Sequence, residues 1–210
     1  LNGIDFKLED SKSDLLGDAY EYLIGEFAAG AGKKGGEFYT PAQVSRLLAQ
    51  IVSVGKKRVK TVYDPTCGSG SLLLRIKDYV EVTNYFGQEL NPTTYNLGRM
   101  NMILHGIEYP NIKYGDSLSK RFEQKEEFDV ILANPPFTGS IDKSDINDKF
   151  KVKTNKTELL FLELFYNLLH IGGRAGIIVP NGVLFGSSNA HKEIRKMLLE
   201  KSQLEAVISL

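Results

Sequence analysis

The chain has 210 residues, 42% hydrophobic and 25% charged, which suits one globular domain with a real core. Its 26 basic residues balance 26 acidic ones, which argues against a purely electrostatic nucleic-acid binder. No apolar run approaches the ~18 residues of a membrane helix, and the lone Cys67 excludes an internal disulfide framework and suits a reducing, cytoplasmic compartment.

Residues 1–14 are polar and begin on Leu, with no signal-peptide core. Residues 14–29 place Leu15, Leu16, Ala19, Leu23, Ile24 and Phe27 on one helical stripe, expected to be buried. A Gly-Lys loop, "GAGKKGGE", follows. Thr40 and Pro41 open a second helix, with Thr as N-cap and Pro at the first helical position. Val44, Leu47, Leu48 and Ile51 form its inward face. From residue 58 strands and helices alternate. "RVKTVYD" is a strand, "PTCGSG" a tight loop and "SLLLRIKDYV" a helix. "NYFGQEL" is a strand, "PTTYNLGRMNMILHG" a helix entered through Pro, and "IKYGD" and "FDVILANPP" are strands. Residues 157–170 form an apolar-faced helix. "RAGIIVP" is a strand, 189–201 a helix and "LEAVISL" a final strand. This alternation predicts an α/β fold with a doubly wound, mostly parallel sheet, preceded by N-terminal helices. The Leu start and the strand-like end lead us to expect a chain truncated at both ends.

In such folds ligands bind at the carboxyl ends of the strands. "DPTCGSGSLL" (64–73) is the first strand-to-helix turn. Gly68 and Gly70 permit sharp turns and close approach of a ligand, and Asp64 can accept hydrogen bonds from a cationic one. Glu89 ends the next strand roughly 20 residues on, where an acid commonly meets ribose hydroxyls. Asp116 follows the third. Other chemistries fail on their letters. A Walker loop would need Gly at Phe27 and Ser or Thr at Lys34, and a hydrolase elbow around Ser69 would need Gly at Cys67 and Ser71. His105, His170 and His191 lie far apart, without ligand-spaced partners, so no zinc site is expected.

"GEFYTP" (36–41), "DPTCGSGSLL" (64–73), "QEL" (88–90), "GDSL" (115–118) and "NPPF" (134–137) stand in the order found in N6-adenine DNA methyltransferases. Together with "DLLGDAYEYLIGEFA" and "RAGIIVPNGVLF" they resemble in particular the modification (M) subunit of type I restriction–modification systems, over nearly the whole chain. The resemblance implies a class I methyltransferase fold that uses S-adenosyl-L-methionine to methylate a flipped adenine in DNA. It also implies a bacterial or archaeal cytoplasmic enzyme whose partners are DNA, a specificity (S) subunit, a restriction (R) subunit and a second M subunit. Residues 1–36 would be an N-terminal helical segment and loop, and 37–210 the catalytic domain. The cofactor loop precedes NPPF without room for an inserted recognition domain, so target recognition would lie later in the protein or on another subunit.

Adenine N6 is a poor nucleophile because its lone pair is delocalised into the ring. Two acceptors facing the amine would help it become pyramidal and stabilise the developing positive charge. The Asn134 side-chain oxygen is one. The resemblance makes the Pro135 carbonyl the second, with Pro136 stiffening it and Phe137 stacking on the flipped base. It further implies that the main chain of Thr66, Cys67, Gly68, Ser69, Gly70 and Ser71 holds the methionine part of the cofactor. Glu89 would hold the ribose, and Asp116 with Ser117 the adenine amino group. Glu37, Phe38, Tyr39, Thr40 and Pro41 would close over it. Two alternatives remain open: a protein glutamine methyltransferase, which faces the same amide-nitrogen problem, and an inactive DNA-docking subunit. The lysine-rich segment 140–156 is expected to be either a solvated, mobile loop or a lid that contacts DNA phosphates.

Overall fold

The computed structural model describes residues 15–30, 39–124 and 127–209. Helices α1 (Leu15–Gly30) and α2 (Ala42–Ser53) lead into strand β1 (Arg58–Asp64). Helix α3 (Ser71–Arg75) runs on as a 3-10 turn, Ile76–Asp78. Then come β2 (Glu81–Glu89), α4 (Pro92–Leu104), β3 (Asn111–Tyr114) and β4 (Phe128–Ala133). The chain continues through α5 (Thr157–Leu168), β5 (Leu169–Ile177), α6 (Asn181–Phe185) and α7 (Asn189–Lys201).

The five strands form one sheet in the order β3-β2-β1-β4-β5, and every pairing is parallel. Chain order reverses between β1 and β4, so loops leaving those two strands diverge and open a crevice. Helices cover both faces. Val59, Val62, Val130 and Leu132 pack with Ala49, Val52, Leu73 and Met102 on one side. Tyr63, Ile131 and Ala133 pack with Leu160, Leu164 and Ile194 on the other. This double cover is why "FDVILA" is apolar nearly throughout rather than alternating; burying each large aliphatic side chain there contributes ~1.5–3 kcal/mol. The one polar residue of β4, Asp129, accepts from the Lys60 and Thr61 N–H groups of β1, at 2.7 and 3.2 Å.

The sheet matches the sequence expectation, but several local readings need correction. The apolar stripe of α1 faces outward: Leu15, Leu16, Leu23 and Phe27 are exposed. The helix docks through its small and charged side instead. Gly17 lies against the His105 ring, where a Cβ would sit 2.9 Å from ring atoms. Ile24 and Ala28 are buried, and Glu21 pairs with Arg75 at 3.3 Å. Close approach to α4 selects glycine over bulk, which hydrophobic spacing alone does not register. Helix α2 is capped by Pro41, whose carbonyl accepts from Val44 and Ser45 N–H; the Thr40 hydroxyl makes no cap bond. Its fully buried positions are Ser45, Ala49, Val52 and Ser53 rather than the expected aliphatic set, which is half-buried. The helix expected over 71–80 tightens into its 3-10 turn after Arg75. Leu169 and His170 begin β5 instead of ending α5. Residues 203–209 form no strand and are exposed. Strand propensity is realised only by pairing, and no described strand pairs with "LEAVISL". The Gly-Lys loop, Glu37 and Phe38 lie outside the described residues.

Candidate active site

Asp64 closes β1 and is 2% exposed. Its Oδ1 accepts from the Thr66 N–H at 2.8 Å and the Thr66 hydroxyl at 3.1 Å, a turn that sends the chain into the glycine loop. Burial, with a smaller push from the nearby Glu89 charge, raises its pKa to about 7 against the lowering effect of the Thr66 bonds. A buried carboxylate with so few donors is suited to a cationic ligand.

The loop is held from three sides. The Cys67 N–H donates to the Gln88 carbonyl at 3.0 Å and the Gly68 N–H to Glu89 Oε2 at 3.0 Å. Glu89 Oε1 accepts from the Asn91 N–H at 2.7 Å, so one carboxylate ties the loop to the start of α4. Gly70 takes a left-handed conformation, φ 77°, at the mouth of α3. The Ser69 and Ser71 hydroxyls meet at 3.0 Å. Burial pushes the Cys67 thiol well up, with the Asp64 and Glu89 charges adding to it, so Cys67 is a filler and not a nucleophile.

Two residues of α4 that sequence reading passed over complete the cradle. Asn101 Nδ2 donates to the Ser69 carbonyl at 2.9 Å. Gly98 lets the helix touch the loop: a Cβ there would stand 2.5 Å from the Gly68 oxygen. Glycine in a helix interior costs ~1 kcal/mol relative to alanine, and that apparent cost was the available signal. Gly98→Ala is therefore expected to destabilise the protein by ~1–3 kcal/mol through overpacking and to weaken cofactor binding. Thermal melting and isothermal titration with S-adenosylmethionine check both.

Across the switch point, β4 ends at Ala133 and delivers Asn134. Its Nδ2 donates to the Thr40 hydroxyl at 3.2 Å. That bond anchors the amide against Thr40 and, in this orientation, leaves the side-chain oxygen as an acceptor facing the cleft. Pro135 is buried, while Pro136 and Phe137 are exposed, Phe137 by 45%. An aromatic ring left in solvent beside a fixed acceptor is a stacking platform. One cleft is lined by Tyr39, Thr40, Asp64, Thr66, Cys67, Gly68, Ser69, Ser71, Leu72 and Asn134. The N-terminal motif, the glycine loop and NPPF thus meet in space. Tyr39 also packs on Gly25 of α1, 3.6 Å from where its Cβ would be.

The third acidic position is more distant in role. Asp116 Oδ1 accepts from the Leu118 N–H at 2.8 Å, and the buried Ser117 hydroxyl donates to the Pro65 carbonyl at 2.6 Å, stapling this loop to the first. That bond uses the hydroxyl proton and leaves the Ser117 oxygen able to accept.

An all-parallel sheet with a glycine loop at its switch point, acids closing β1 and β2 and a third just past β3 is a doubly wound, nucleotide-binding architecture. A Listeria monocytogenes protein described as a putative class I S-adenosylmethionine-dependent methyltransferase shares it. The TM-score is 0.77 at 19% identity, over 95% of this chain and 62% of that one, a likeness of fold alone. Residues 11–210 match the model of the N-6 DNA Methylase family, and the chain belongs to that family. It is 38% identical over 229 residues to the type I restriction enzyme MpnII methylase subunit of Mycoplasma pneumoniae, covering 97% of this chain and 42% of that protein. The type I restriction-modification system methyltransferase subunit from Streptococcus thermophilus superposes with a TM-score of 0.80 at 42% identity, over 95% of this chain and 45% of that one. The chain therefore spans less than half the length of these two relatives.

Proposed function

We propose that this chain is the catalytic core of a type I modification methyltransferase subunit, which transfers a methyl group to N6 of a flipped adenine in DNA. The observation that carries the reading is the convergence of Asn134, oriented by Thr40, with Asp64 and the glycine loop in one cleft.

S-adenosyl-L-methionine, when bound, supplies the activated methyl group. The residues fit it: the buried Asp64 carboxyl and the main chain of the glycine loop line one cleft, a donor set suited to a cationic amino-acid moiety. Asp64 and the main chain of 66–71 would hold its methionine part, Glu89 its ribose, and Asp116 its adenine. Tyr39, Thr40 and Pro41, with Glu37 and Phe38, would line the approach from the N-terminal side. For the substrate, Asn134 Oδ1 and the Pro135 carbonyl accept from the target amine, directing its lone pair along the transfer line. Phe137 stacks on the base, and the two prolines stop the acceptors from relaxing. No strong base is needed, because the amine sheds its proton after transfer. Asp64 stays ionised against a cationic ligand.

Among the described residues no helix is long and apolar enough to cross a membrane. A cytoplasmic location and assembly with specificity and restriction subunits and a second copy of the subunit follow from the type I reading and belong to the proposal. The test is labelled-methyl transfer by the full-length subunit with its specificity partner. Label is expected in N6-methyladenine. Label in protein glutamine and none in DNA would replace this reading with the amide-methylating one, and no transfer from bound cofactor would favour an inactive docking subunit.

A further inference from the structure

Of the two expectations for the segment between NPPF and α5, the solvated, mobile loop does not hold. The segment is built into the core. The Asn147 N–H donates to the Leu118 carbonyl at 2.9 Å, and its side-chain amide to the Ser119 and Phe122 carbonyls at 3.1 and 3.2 Å. Its two ends are joined by bonds from Ile141 N–H to the Asn155 carbonyl and from Thr157 N–H to the Gly139 carbonyl. Phe150 and Val152 are buried among Phe122, Leu159 and neighbouring core residues. Glu163 of α5 is 2% exposed, and its two oxygens accept from the Lys151 N–H at 2.7 Å and the Val152 N–H at 3.0 Å.

Placing a carboxylate there carries a desolvation penalty. Those bonds fix the path of "KFKVK", residues 149–153, and with it a strict alternation. Phe150 and Val152 point inward, while Lys149, Lys151 and Lys153 are exposed. Charge is also sorted along the segment. Asp142, Asp145 and Asp148 lie in its first half, whereas 149–156 holds four lysines and no acid. Among the described residues none of these four ammonium groups forms an ion pair. A loop that merely keeps lysines in water needs no buried carboxylate to set its course.

We propose that Lys149, Lys151, Lys153 and Lys156 form a fixed cationic rail that takes the phosphates of the DNA strand flanking the adenine at Asn134. The inference deepens the DNA reading above and rests on it. The carboxyl end of the run returns to the neighbourhood of NPPF: Lys156 pairs with Ser140, and the Thr157 N–H donates to the carbonyl of Gly139, two residues past Phe137. Because the backbone is set before DNA arrives, the rail orders few residues on binding. It would contribute affinity and register without reading sequence.

The experiment uses the full-length subunit assembled with its specificity partner and a fluorescent 20-base-pair duplex with one unpaired adenine, titrated at several potassium chloride concentrations. The triple variant K149Q/K151Q/K153Q is expected to lower the slope of log affinity against log salt by about 2–3 units, with cofactor affinity unchanged. K149R/K151R/K153R should keep the wild-type slope. K56Q/K57Q/K60Q, near the amino end of β1 and away from the crevice, should keep it too. Equal slopes for wild type and the glutamine variant overturn the rail while the DNA reading stands. Loss of slope in the arginine variant also overturns it, by showing damage other than lost charge. A wild-type assembly of subunit and specificity partner that binds no DNA under any condition overturns both the rail and the reading beneath it.

Discussion

Replacing Asn134 with alanine is expected to lower turnover ~10²–10³-fold, the scale found when one preorganised polar group is removed from the point where charge develops. Cofactor affinity should stay within about threefold. Asn134 is half-buried at the end of β4, and its one protein bond runs to Thr40, so little of the fold depends on it. What disappears is an acceptor aimed at the amine. The acceptor is only as good as its orientation, and an amide turned over would present N–H groups to a substrate that itself donates. Thr40→Val, which keeps the shape and removes the hydroxyl, should therefore lower kcat ~10-fold with little change in KM, and Thr40→Ser should restore it. Single-turnover methylation measured beside equilibrium cofactor binding separates these effects. A loss of cofactor binding in Asn134→Ala would move that residue out of the substrate site.

The second large effect concerns Asp64. Its pKa of about 7 in the ligand-free fold lies above its ordinary value of about 3.8, so the folded chain holds a proton that the unfolded chain has released between those limits. The resulting stabilisation is fully present below the unfolded value and is lost as pH rises through about 7. Asp64→Asn cannot carry the buried charge. The melting temperatures of variant and wild type should converge below about pH 3.8 and separate, in favour of the variant, by pH 8. Cofactor binding reverses the order. A cationic ligand requires the carboxylate, so wild-type affinity should fall about tenfold from pH 8 to pH 6 as protonation competes. The asparagine variant should bind ~10–100-fold more weakly at pH 8, with a nearly flat profile. Calorimetric titration across this range reads both. A wild-type profile as flat as the variant's would remove Asp64 from contact with the ligand's charge.

The sequence showed this frame because its signals are local. Asp64 and Glu89 are the last residues of β1 and β2, and each can be found by walking an apolar run to its end. Pro92 and Asn91 mark the start of α4 in the letters as in space. What stayed hidden arises from contacts across the fold. The Thr40–Asn134 bond links positions 94 apart, and the ordinary capping reading of Thr-Pro gave the hydroxyl a different partner. Glu163 looked like one more charge on an amphipathic helix, because its partners are backbone groups with no sequence signature. The exposed face of α1 misled for the opposite reason. Its large residues announce burial, but Gly17, which announces nothing, decides which side approaches α4.

The bond from Thr40 to Asn134 bears on how active and silent relatives are told apart in genomes. A descendant could drift to valine at position 40 with its sheet, its cofactor cleft and all four letters of NPPF intact. Under the reading proposed above, it would look complete to any motif survey and still transfer methyl groups slowly. Under the reading offered here, position 40 is a fifth letter of that motif, written far upstream.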